Sequence, residues 1–445
     1  MPVVAATQQG SPTRETWLAL CPSSEAIASA KQSVTYEAPD DRSQALHVTT
    51  AQPPPGCAAV RLPVEAADVI WARLMPPATA QRLRRGLILQ GGDTAPAAGS
   101  EIIPLEETPR AAPEPTREPS GVQASTPPGV SPSTTRAAWA WRPELWRTTP
   151  SPLFATAASW DITTIYVTLP VAADGKLADA DRLREFLREA HARGVQVWAV
   201  DGDPRMILPA ARRAAAERVR AIRVFNEAGE RGAPRIAGIQ FDIEPYIIPG
   251  YALDEEGWHE LYVAAIRAFK EAAGDLPIEL AVPFWWLDAR AGGMRVMDRV
   301  SPSIASVAVM DYRTDFETIE TLARPWFEWA VQQRHQVRIA LEGGQLPDEP
   351  RYRFHPAASG TLWQVQVGDT PALVYLGRAI NNPAGASFAL TSKTSFSAST
   401  TTFFGRTEEV RRTLPDLERR LRRYPPFAGL ALHEFAAPAA PDTGR

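Results

Sequence analysis

The chain reads as an α/β protein, a (β/α)8 barrel of the TIM type preceded by a small β-sandwich-like domain, on three observations. Beyond residue 135, eight strand-like segments alternate with amphipathic ones. These strand segments place apolar residues on one face and small or polar residues on the other, as expected of a strand covered by helices on its outer side only. No glycine-rich phosphate loop follows any of them, so an open nucleotide-binding sheet is disfavoured.

The elements support this in order. Six short β-like runs, "TWLAL", "SVTYEA", "ALHVTT", "AAVRLPV", "VIWARLM" and "GLILQGG", are separated by Pro, Gly, Asp and Ser clusters and make residues 1–105 a β-rich accessory domain. Residues 106–135 are rich in Pro, Ser and Thr and almost free of large apolar side chains, so they form a linker that buries no core. The barrel then spans 136–438, with strands at "AAWAW", "TTIYVTLP", "VQVWAVD", "IAGIQFDIE", "PIELAVPFWW", "SIASVAVMDY", "QVRIALE" and "FAGLALHEF". Amphipathic stretches at 178–193, 254–273, 316–334 and 406–423 supply helices between them. The span 345–405 is too long for a barrel loop and contains the hairpin-like "LWQVQVGDTPALVYL", which predicts an inserted subdomain or a lid over the mouth.

Composition excludes several classes. With 47 basic and 51 acidic residues the formal charge is −4, which offers nothing to nucleic acid or to an anionic membrane surface. No run of apolar residues is long enough for a membrane span, and no signal peptide is visible. Cys21 and Cys57 are the only cysteines and are read either as one disulfide or as two inert thiols. Metal-ligand spacing is absent, so neither a metal nor a cofactor is expected.

Parity singles out the functional candidates. In "RIAGIQFDIEPYIIPG", Ile239, Phe241 and Ile243 share one face, while Gly238, Gln240, Asp242 and Glu244 share the other, and Pro245 ends the strand because it has no N–H for the ladder. Applied to the other strands, the same test brings Asp242, Glu244, Trp285, Tyr312, Glu342 and His433 to one mouth at the carboxyl ends, where barrel enzymes keep their chemistry. Facing carboxylates among aromatic side chains suit glycosidic-bond cleavage, in which one carboxylic acid protonates the leaving oxygen and an anionic group stabilises the oxocarbenium-like centre. Glu244 is the expected general acid. Trp285, Trp286, Trp141, Asp201 and His433 are the expected substrate contacts, with Trp139 more simply a packing residue.

Two resemblances sharpen this. "GIQFDIEPY" and "VMDYR" resemble the fourth-strand acidic signature and the sixth-strand Met-x-Tyr motif of family 18 chitinase-like glycosidases. That resemblance implies Glu244 as acid, Asp242 as the neighbour that orients a substrate acetamide, and Tyr312 as a hydrogen-bond donor to it. The earlier acidic positions of the signature are Ala237 and Gln240 here, and Asp311 stands between Met310 and the tyrosine. "DIEP" and "ALEGG" are also similar to the fourth- and seventh-strand motifs of the large retaining clan of barrel glycosidases, which implies Glu342 as a nucleophile about 5–5.5 Å from the acid. Both imply a glycoside hydrolase acting on a poly- or oligosaccharide, and an extracytoplasmic setting follows by analogy.

Two other classes remain open. A non-catalytic carbohydrate-binding barrel would use the same aromatic cleft without needing the acid. A metal-dependent hydrolase would gather Asp201 and Asp203 of "DGDP" with Asp242 and Glu244 around a divalent ion.

Overall fold

The computed structural model describes residues 15–25, 27–40, 42–91, 95–105, 135–383 and 385–435. The segment expected as a linker, apart from Thr135, lies outside them. The described chain divides into two compact units, 1–124 with 248–254 and 348–396, and 125–247 with 255–347 and 397–445.

The second unit is the barrel. Its strands are β1 (Thr135–Ala140), β2 (Ile162–Thr168), β3 (Gln196–Asp201), β4 (Ile239–Asp242), β5 (Ile278–Pro283), β6 (Ser306–Met310), β7 (Gln336–Glu342) and β8 (Phe427–His433). Each pairs in parallel with its sequence neighbours, and β8 closes on β1. The intervening helices bury one stripe and expose the rest; in Ala180–Ala192 the buried residues Leu183, Phe186, Leu187 and Ala190 recur at helical spacing. Each large apolar side chain buried in this way contributes about 1.5–3 kcal/mol.

The barrel interior is a packed layer. Ala137, Trp139, Tyr166, Val200, Ala308, Met310, Ala340 and Ala431 form one cluster, with Trp141, Trp198 and Tyr312 against it. Small residues make room for the large ones: a Cβ on Gly238 would overlap the Trp198 ring. Beside this cluster sits a buried carboxylate, Glu279 of β5, which accepts hydrogen bonds from the Tyr166 hydroxyl, from Gln240 Nε2 at 2.8 Å and from Ser306 Oγ at 2.8 Å. Arg338 Nε lies 3.6 Å from it. A buried charge with this many donors is compensated.

The first unit is a two-sheet sandwich with a composite origin. Its smaller sheet has strands in the order 30–36, 44–49, 16–22, 58–62. Its seven-stranded sheet runs 69–74, 370–381, 359–367, 386–396, 349–356, 87–90, 101–104. The four inserted strands therefore complete the sandwich begun by the N-terminal segment. Leu18, Leu20, Leu46 and Val48 of one sheet share a core with Trp363, Val365, Val367 and Val374 of the other. Neither segment alone could bury this core, because its two faces come from both. Cys21 and Cys57 are joined by a disulfide in the smaller sheet.

No helix among the described residues is long and apolar enough to cross a membrane.

The seam between β8 and β1 depends on Gly429, which pairs with Thr135 at φ 135°. A side chain there would meet the Thr135 carbonyl oxygen and force a backbone shift. Gly429→Ala is expected to lower barrel stability by roughly 2 kcal/mol or more, measured as a shift of the chemical denaturation midpoint.

Candidate functional site

β4 delivers two carboxyl groups to the mouth on one face. Asp242 is its last residue, and Glu244 follows one inward position later, before the turn Pro245–Ile247 takes the chain away. The Asp242 carboxyl is pushed up to about 7, first by burial and then by the neighbouring Glu244 charge and hydrogen bond, with His433 pulling the other way. Its Oδ1 is buried and meets no hydrogen-bond partner among the described residues. A raised Asp242 carboxyl beside a second acid keeps its proton further toward neutral pH than an ordinary aspartate does.

Tyr312, just past β6, completes the group. Burial raises its phenol well above the ordinary range, as do the charges of Asp242, Glu342 and Glu244, so it stays a neutral donor facing all three acids. Its ring stacks on His433, centroid to centroid 6.2 Å.

Glu342 is differently placed. At the end of β7 it is 4 % exposed, with Oε2 2.7 Å from His433 Nδ1 and Oε1 accepting the Gly344 N–H at 2.6 Å. Trp141 Nε1 donates to His433 Nε2 at 3.2 Å, which assigns the proton of a neutral imidazole to Nδ1. Burial acts to lower the His433 pKa, but the hydrogen bond and charge of Glu342 outweigh it and the net shift is upward. Glu342 is thus engaged within the barrel by a histidine and a backbone amide.

Trp285 projects from the turn after β5, 43 % exposed, with its ring 4.9 Å from that of Tyr246. A cavity of about 640 Å3 is lined in part by Trp141, Trp160, Phe403, Phe404, Glu434 and Phe435. Phe404 is 54 % exposed.

Trp286 and Asp201, expected as substrate contacts, have partners of their own. Trp286 is 1 % exposed and packs edge-on against His259 and Tyr262, so it belongs to the core. Asp201 points away from the barrel axis, because Trp198 and Val200 take the inward positions of β3, and it pairs with Arg218 of the following helix at 2.7 Å. Asp203 caps the short helix Pro204–Ile207 by accepting the Arg205 N–H at 2.7 Å. The arrangement required for a divalent ion is therefore not formed by these two residues. Among the described residues, the one cluster of three ligand-type side chains is Cys21, Glu25 and Cys57, in which the sulfurs are bonded to each other.

Two participants were not anticipated as such. Gln240 was assigned inward but given no role; it is gripped by Trp139 Nε1, 2.5 Å from its Oε1, and bonds to Glu279. Tyr246 donates its hydroxyl to Glu244 Oε2 at 2.5 Å. Carrying the alternation past Pro245 would have pointed to it.

No family model and no curated protein matches the chain. Solved structures do. The spore cortex-lytic enzyme SleL of Bacillus megaterium QM B1551 is 12% identical with a TM-score of 0.37, covering 78% of this chain and 76% of that one. A GH18 chitinase from Cycas revoluta is 10% identical with a TM-score of 0.35, covering 67% and 94%. A class V chitinase from Pseudomonas fluorescens Pf-5 is 13% identical with a TM-score of 0.35, covering 69% and 97%. At these scores the likenesses carry no argument about activity.

Asp311, on the outer face at the end of β6, is fully buried, and neither of its carboxyl oxygens meets a hydrogen-bond partner among the described residues. Burial pushes it up to about 8 against the pull of Arg313. The ordinary carboxyl value is near 4, so the folded state holds this proton more tightly and loses stability as pH rises from about 4 through about 8. Asp311→Asn should therefore stabilise the protein at pH 8 more than at pH 4, by on the order of a few kcal/mol, read from urea midpoints at the two pH values.

Proposed function

We propose that the chain is a glycoside hydrolase acting on oligo- or polysaccharides of N-acetylated hexosamine, with Glu244 as general acid and the substrate's own acetamide as nucleophile. The observation that carries this reading is the contrast between the two candidate partners of Glu244. Asp242 lies beside it, buried, with its carboxyl raised and Tyr312 nearby, whereas Glu342 is occupied by His433 and Gly344.

In this reading Glu244 transfers its proton to the glycosidic oxygen as the bond to the anomeric carbon breaks. The acetamide carbonyl oxygen attacks that carbon from the opposite face, giving a cyclic oxazolinium ion whose N–H is held by Asp242. Tyr312 donates to the acetamide oxygen and helps to orient it. Water then opens the ring, giving up a proton to the Glu244 carboxylate and restoring the starting state. Trp285 offers a flat apolar face to a sugar ring, and the aromatic cavity lined by Trp141 takes rings further along the chain. The Cys21–Cys57 disulfide supports an extracytoplasmic setting, since such bonds persist in oxidising compartments.

Three outcomes are expected. Glu244→Gln should lower kcat on N-acetylhexosamine oligomers by at least about a hundredfold while leaving affinity for them, measured by calorimetry, within a few-fold; a wild type that binds these oligomers without cleaving them points instead to a sugar-binding barrel. The wild-type kcat/KM should fall as pH rises through about 7, where Asp242 titrates. Phe404→Ala should slow cleavage of long oligomers and spare a short aryl glycoside.

A further inference from the structure

Glu244 has a hydrogen-bond donor from the turn that follows it. Tyr246 is turned back by the Pro245–Ile247 turn so that its hydroxyl reaches Oε2 of Glu244 at 2.5 Å. The ring is fixed from behind: Trp285 stands edge-on at 4.9 Å and Trp286 tilts against it at 5.8 Å. Trp286 is itself buried against His259 and Tyr262, so the tyrosine rests on a rigid aromatic wall.

We propose that Tyr246 is a positioning residue for the general acid, holding Oε2 so that the carboxyl group keeps one orientation, and that it links the acid to the exposed Trp285 on which a sugar ring stacks. The inference rests on the glycoside hydrolase reading. A tyrosine hydroxyl can donate to either form of the carboxyl group, and it donates more strongly to the ionised one. It therefore holds the acid in one rotamer before proton transfer and takes up part of the charge afterwards. Burial and the nearby Glu244 and Asp242 raise the Tyr246 phenol, so it remains a donor throughout the working range. The other titratable groups in the electrostatic environment of the carboxyl pair are Tyr262, Tyr312, Glu342 and His433.

The test compares wild type, Tyr246→Phe and Trp285→Ala in the full chain, using an N-acetylhexosamine oligomer and circular dichroism to verify folding. Tyr246→Phe should cut kcat roughly 10–100-fold, the range for one lost hydrogen bond to a charged group, with KM nearly unchanged. Its kcat/KM profile should have an alkaline limb displaced to higher pH, because the ionised acid has lost a donor. Trp285→Ala should raise KM and move the limb in the same direction by less, and the double variant should move it no further than Tyr246→Phe alone. A folded Tyr246→Phe enzyme whose profile superimposes on wild type overturns the inference and leaves the hydrolase reading standing. A wild type that cleaves no such oligomer overturns both. Should Tyr246→Phe fail to fold, an alkaline limb in Trp285→Ala identical to wild type overturns the link.

Discussion

The barrel is tied together from inside by one buried carboxylate. Glu279 of β5 takes donors from Tyr166 on β2, Gln240 on β4 and Ser306 on β6, with Arg338 of β7 close by. Five of the eight strands thus meet at a single charge. In a low-dielectric interior such a group is tolerable only if its donors stay in place, so it penalises any slippage between those strands. Gln240 is held at both ends, by Glu279 and by Trp139, and it is the inward residue immediately before Asp242.

The mouth layer inherits its geometry from this polar layer but works by the opposite principle. Glu279 is satisfied, whereas Asp242 keeps a buried oxygen that meets no partner among the described residues, and burial beside Glu244 raises its carboxyl. The satisfied layer confers rigidity, and the under-satisfied one leaves a polar atom unpaired at the mouth. Glu342 lies at the same barrel end yet belongs with the satisfied groups, since His433 and Gly344 use both of its oxygens. Tyr246 occupies an intermediate place: its hydroxyl satisfies one oxygen of Glu244.

The accessory sandwich shows a different constraint. A two-sheet core needs both inner faces at once, and here they come from segments far apart in the chain, as with Leu18 of the smaller sheet and Trp363 of the larger. Closing such a loop is entropically costly, and the buried Leu18, Val48, Trp363 and Val374 offset it.

What the sequence by itself determined was parity. Alternation is a property of the extended backbone, so the inward places of Gln240, Asp242, Glu342 and His433 follow from counting along each strand, and the eight strands with their helices follow from local periodicity. Tertiary structure decided the partners. Whether Glu342 faces a substrate or His433, whether Asp201 meets an ion or Arg218, and whether Trp286 lines a cleft or a core depends on residues distant in the chain. The turn after Pro245 belongs to the same class: parity points to Tyr246, but only the folded turn brings its hydroxyl back to Glu244. Hydrogen bonds and ion pairs are short-ranged and directional, and no local rule of spacing specifies them across a barrel.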